Sequence, residues 1–243
     1  MSVRALFARQ AGRRSANGIV LASAVLGSLV LLAAAVALVL WPRWPQRAAP
    51  PDAPSLPISV GGVLFNVPPA AIRVKLQRRA GAQDRLDLAF LWPALVPPDP
   101  AAKPSVSEEA PILDRLFVTI AALDGGLDPN ERIKTIYPRY FDFGRFAGPD
   151  GLLVIRFRDG TPYRTEDLFY DPAAPDRFAV RCTRPGAGPT PGTCLWERRM
   201  GGAAGGGGAV DVTVRFPRDW LGDWRRLFAD VDRLIASLQA PHS

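Results

Sequence analysis

Two cysteines, a single histidine and scattered carboxylates are the side chains from which covalent, metal or acid–base chemistry would have to be built in this 243-residue chain. Cys182 and Cys194 lie at the end and the start of two predicted strands, on either side of the turn-rich loop TRPGAGPTPGT. Their spacing is not that of a C-x-x-C redox centre; outside the cytoplasm such a pair reads as a structural disulfide. A bond closing a loop of this size stabilises by about 3 kcal/mol in the chain-entropy model. His242 is the penultimate residue. In a terminal tail that frays it is no general base for a serine or cysteine nucleophile. Two cysteines and that histidine are also too few for a zinc site.

The carboxylates leave one catalytic option. Glu166 with Asp167, or Asp171 with Asp176, would be the acid and base of a glycan-cleaving enzyme, if the two groups stood roughly 5–9.5 Å apart across a cleft. Both pairs occur in turn-like surroundings, where Asp serves the backbone rather than a substrate. No catalytic, metal or cofactor-binding residue is therefore assigned, and the chain is expected not to be an enzyme; a carboxylate-based envelope glycan hydrolase is the alternative. The glycine run GGAAGGGG at 201–208 leads into a predicted strand, whereas a phosphate-cradling loop opens a helix, so it reads as a flexible hairpin connection.

One further stretch has the composition of a recognition surface. Tyr137-Pro-Arg-Tyr-Phe-Asp-Phe-Gly-Arg-Phe146 interleaves aromatic rings with guanidinium groups, which carry much of the energy of protein interfaces. Most of its rings are expected to line the sheet. Arg139 and Tyr140 are the members expected at the surface, and with Arg145 they are the candidate contacts to a partner.

The elements that hold these residues follow from periodicity. Val63, Phe65 and Val67 alternate with other residues, as do Leu86, Leu88, Phe90 and Trp92, with the period of half-buried strands. Leu116–Leu123, Leu152–Phe157, Asp167–Tyr170, Phe178–Cys182, Cys194–Met200 and Val210–Phe216 also read as strands. Asp128, Pro129 and Glu131 form a helix start, with Pro138 kinking or ending that helix. Leu221, Trp224, Phe228, Val231, Ile235 and Leu238 recur at steps of three and four, opposite Arg226, Asp230 and Arg233, which predicts a C-terminal helix with one face buried. Pro93–Pro111 holds six prolines and reads as a loop.

The charge has its own geography. The net charge is +7, but Arg4, Arg9, Arg13, Arg14, Arg43 and Arg47 precede residue 48 and no acid does, leaving 24 basic against 23 acidic residues in the remainder. A nearly neutral folded part argues against nucleic acid as a partner. The excess brackets Gly18–Leu40, 23 residues without a charge, which as a helix reach about 34 Å against a ~30 Å hydrocarbon core. Four arginines before the segment against two after it place the N-terminus in the cytoplasm, and Trp41 and Trp44 fall at the level of an outer aromatic belt.

The sequence thus predicts a cytoplasmic basic tail at 1–17, a transmembrane anchor in contact with the lipid bilayer at 18–41, a proline-rich stalk at 42–57 and a periplasmic domain at 58–243. The fold class is α+β: an antiparallel sheet packed by the C-terminal amphipathic helix and one shorter helix. The expected role is a single-pass bacterial inner-membrane protein whose periplasmic domain is a binding, scaffold or accessory subunit for an envelope or membrane protein. Cleavage at the A-x-A pattern of Ala33, Ala35 and Ala37, releasing a soluble periplasmic protein, is the alternative topology.

Overall fold

The computed structural model describes residues 22–38, 53–99, 114–187, 192–201 and 208–239. The chain divides into two units, Met1–Arg47 and Ala48–Ser243. In the first, residues 22–38 form helix α1, with Leu26, Leu31 and Leu38 exposed. Among the described residues no helix is long and apolar enough to cross a membrane. The basic tail, both ends of Gly18–Leu40, Trp41, Trp44, the stalk to residue 52, most of the Pro93–Pro111 loop and His242 lie outside the described residues.

The second unit is built on two sheets. Strands β1 (Leu56–Val60) and β2 (Val63–Val67) form a tight antiparallel hairpin, and β1 pairs in parallel with the short β3 (Gly81–Gln83). The larger sheet has eight antiparallel strands: β4 (Arg85–Leu91), β5 (Arg115–Ala122), β6 (Phe141–Ala147), β7 (Leu153–Phe157), β8 (Glu166–Tyr170), β9 (Ala179–Thr183), β10 (Thr193–Gly201) and β11 (Ala209–Pro217). Their spatial order is β4-β5-β11-β10-β9-β8-β7-β6, so β6 to β11 run as a meander and β5 closes onto β11. The predicted α+β class and antiparallel sheet are what the chain forms.

Alternation dictates which side chains enter the core. Along β11 Val210, Val212, Val214 and Phe216 are buried while Arg215 is exposed, the period-2 pattern of a strand with one covered face. Helix α3 (Trp224–Leu238) lays Trp224, Leu227, Val231, Ile235 and Leu238 into the same cluster, which also takes Ile58, Val60, Phe65 and Val67 from the small sheet. Leu227, absent from the predicted stripe, is as buried as its neighbours, and Phe228 is only partly buried.

β4 departs from its predicted half-buried character. Leu86, Leu88 and Phe90 enter the core, but Asp87 and Ala89 on the opposite face are buried too. The chain covers them itself: Ile72 bridges Leu88, the Arg73 amide donates to Asp87 O at 2.9 Å, and Gln77 reaches the Asp87 carboxylate at 3.0 Å. One outer edge of the large sheet is thereby occupied.

The shorter helix begins as predicted. The Asp128 carboxylate accepts from the Asn130 amide at 2.8 Å, and Pro129 takes the first helical position in α2 (Pro129–Glu131). Beyond it the backbone widens to a π turn over Arg132–Ile136 and tightens to a 3₁₀ turn over Tyr137–Tyr140, the change falling at Pro138, which has no amide hydrogen to continue the ladder.

Candidate functional site

The cysteines and the two predicted acid pairs all have structural partners. Cys182 and Cys194 face each other across β9 and β10, with Cα atoms 4.0 Å apart, and form a fully buried disulfide. Both thiols of the chain are consumed. Glu166 and Asp167, being consecutive on β8, point to opposite faces of the sheet. Glu166 accepts from Arg181 at 2.8 Å, whereas buried Asp167 accepts from Arg184 at 2.8 Å and from Arg218 at 3.1 Å. Asp171 accepts from the Ala173 amide in its own turn, and Asp176 pairs with Lys134. Neither predicted acid pair converges on a shared cleft. Among the described residues no group of three His, Cys, Asp or Glu side chains stands close enough to hold a metal ion. Gly201 ends β10 and Gly208 immediately precedes β11, so the glycine run leads into a strand.

Arg181 organises the face of the sheet opposite α3. It bridges Glu166 on β8 and Glu197 on β10, while Glu197 also receives Arg132 from the π turn at 3.3 Å. The rings of Tyr137 and Tyr163 lie 5.5 and 5.3 Å from its guanidinium carbon. Burial works against its charge, but Tyr137, Glu166 and Glu197 outweigh that and raise its pKa further. Burial likewise pushes the Tyr137 phenol up. This network ties the α2 segment to the sheet and presents no free acid or base.

The aromatic stretch divides in two. Tyr137 and Phe141 belong to a satellite cluster with Phe157, Leu168 and Ala179, as predicted for core-lining rings. Tyr140 is half-buried rather than exposed, its ring 5.6 Å from that of Tyr163, while Arg139 and Arg145 are exposed. The exposed aromatic residues are instead Phe143, 99% accessible, and Phe146, 44% accessible. Phe143 falls where the register of β6 against β7 breaks, between Phe141 and Arg145.

β6 is also the open edge. It ends the strand order, pairing only with β7. Beside it lies a groove of about 370 Å³ lined by Ile133, Phe141, Leu153, Ile155, Leu168 and Tyr170, with Arg145 at its rim. An unpaired strand edge, a fully exposed ring and an apolar groove with one rim guanidinium are the parts of a polypeptide-binding surface. Of the predicted contacts, Arg145 lies in it, while Arg139 and Tyr140 lie in the 3₁₀ turn that precedes β6, Tyr140 packed against the Tyr137–Phe157 cluster.

The fold and this surface define an antiparallel α+β domain with a helix on one face and an open edge strand. No protein-family model matches the sequence, and no curated protein matches it. Among solved structures, the chain is similar to an immunity protein of the Stenotrophomonas maltophilia type IV secretion system, at 15% identity and a TM-score of 0.49, over 77% of this chain and 94% of that one. It is also similar to the Neisseria meningitidis iron-regulated outer membrane lipoprotein FrpD, at 7% identity and a TM-score of 0.38, over 78% and 94%. Likeness of this degree does not speak for activity or partners.

Proposed function

We propose that this protein is a non-catalytic accessory or scaffold subunit of the bacterial envelope, anchored in the inner membrane through residues 18–41, that binds a protein partner in the periplasm through β6 and the adjoining groove. The observation that carries the binding role is the unpaired edge of β6 with Phe143 fully exposed beside an apolar groove. A large ring left in water at a sheet edge gives up the burial free energy, roughly 1.5–3 kcal/mol, that a partner restores by covering it. Two features support the compartment. The uncharged Gly18–Leu40 segment follows four arginines, and the Cys182–Cys194 disulfide belongs to an oxidising space.

The test is site-specific photocrosslinking in native membranes. A benzophenone amino acid at position 143 of the full chain should give one discrete protein adduct, and the same group at Leu76, exposed but remote in the strand order, should not. No adduct at 143, or equal labelling from Leu76, overturns the reading.

A further inference from the structure

Resting on the binding role proposed above, we infer that the occupant of the β6 edge is an extended acidic segment of the partner, which pairs its backbone with β6, sets an apolar side chain into the groove and offers carboxylates to Arg139 and Arg145. The argument starts from how the arginines are distributed. Residues from 48 onward are nearly neutral as a whole, and about half of the guanidinium groups there pair with a carboxylate, among them Arg85, Arg132, Arg181, Arg184, Arg198, Arg199 and Arg218. Around β6 the pattern changes. Arg139, Arg145, Arg156, Arg158 and Arg164 are all exposed, and among the described residues no ion pair joins them to a carboxylate. Arg158 donates to the Arg139 carbonyl, and Arg156 stacks on Phe146 at 4.7 Å. Of the acids in the same stretch, Asp150 is bound to Arg225, which leaves Asp142 and Asp159 against five guanidinium groups. The open edge therefore carries an uncompensated positive field on a domain with almost no net charge, and such a field selects its partner by sign.

The same charges decide against a second copy of this chain. Antiparallel pairing of β6 with itself would bring Arg139 and Arg145 of both copies together, and charged side chains with a bulge are the means by which sheet edges refuse self-association. An acidic strand meets no such charge repulsion. The chain already covers its other sheet edge in this way, with Ile72 and Arg73 laid against β4. Strand addition places alternate side chains on one face, so one apolar residue can face the groove while its neighbours stay in water beside the arginines.

The experiment pans a display library of random twelve-residue peptides against the full chain in a non-ionic detergent. The expected pool is net acidic with interspersed apolar residues. Its members should bind the Arg139→Glu/Arg145→Glu variant at least tenfold more weakly, and wild type several-fold more weakly at 300 mM than at 50 mM salt. Both arginines are exposed without side-chain partners, so an unchanged melting curve shows that the variant is folded. A neutral or basic pool, or equal binding to the variant, overturns the inference. So does a Phe143→Cys fluorophore that shifts to the blue only when the chain is placed in discs containing phosphatidylglycerol, which would assign the surface to lipid. If position 143 crosslinks a protein while the library yields no acidic pool, the inference falls and the proposed function stands.

Discussion

Asp87 shows how far a single residue's role can differ from its place in a pattern. By alternation it belongs to the polar side of β4, yet it is 8% exposed; its carboxylate accepts from Arg85, Thr119 and the Gln77 side-chain amide, and its backbone amide donates to the Gln77 side-chain carbonyl. The Arg85 guanidinium, against the cost of burial and with help from Gln77 and Thr119, draws its pKa down to about 2. A carboxylate whose folded pKa lies below its unfolded value, near ~3.9, adds stability that is complete above pH ~4 and vanishes as pH falls through about 2. With Arg85 60% exposed, the contribution is on the order of 1–2 kcal/mol at neutral pH. Urea denaturation of wild type and Asp87→Asn between pH 5 and 2 should show the two curves converge toward the acid end. Gly208 is the second such position. A Cβ there would stand 2.4 Å from the Gly61 carbonyl oxygen, where the β1–β2 turn rests against the entry to β11. Gly208→Ala should cost roughly 1–3 kcal/mol by overpacking and lower the melting temperature, although the residue reads as one member of a flexible run.

At the scale of elements, what the sequence made legible was what obeys a period. The α3 stripe, the β11 alternation and the Asp128–Pro129 helix start are visible because each is set by local sequence alone. β3 is a three-residue strand, Gly-Ala-Gln, whose pairing with β1 depends on a contact between segments more than twenty residues apart. No strand is expected at β6 from sequence, because Phe141–Ala147 stands out by its composition and its register against β7 is irregular; Tyr140 rather than Phe143 is therefore the residue expected at the surface, and the groove beside the strand has no local sign. The arginine-rich composition was visible; which arginines lack partners was not, since pairing is a property of the assembled sheet. The best-defined element also bears the heaviest prediction. Trp224 is buried among Phe178, Trp196 and Phe228, and its indole donates to the Asp150 carbonyl at 3.1 Å. Trp224→Asp removes that packing and buries a charge, a loss of more than ~5 kcal/mol against a net stability of the same order. Limited proteolysis should find the variant degraded under conditions that wild type survives.

Over the whole molecule, the disulfide joins two neighbours in a meander rather than distant parts, with a sequence separation of 12. Replacing both cysteines by alanine should cost about 3 kcal/mol, or roughly 6–12 °C in melting temperature, without altering the strand order. Circular dichroism would register a large loss of strand signal if the bond instead defined the topology. The pairing of β5 with β11 has the longer reach. About ninety residues lie between Ala122 and Ala209, and β4 and β5 join the rest of the large sheet only through β11. A chain emerging from its N-terminal side must wait with half its core exposed until those last strands arrive, so folding is intrinsically slow and open to capture by chaperones and proteases. Pulse-labelled chains halted before residue 209 should stay protease-sensitive from 53 to 122, and should become resistant once the remaining 35 residues are made.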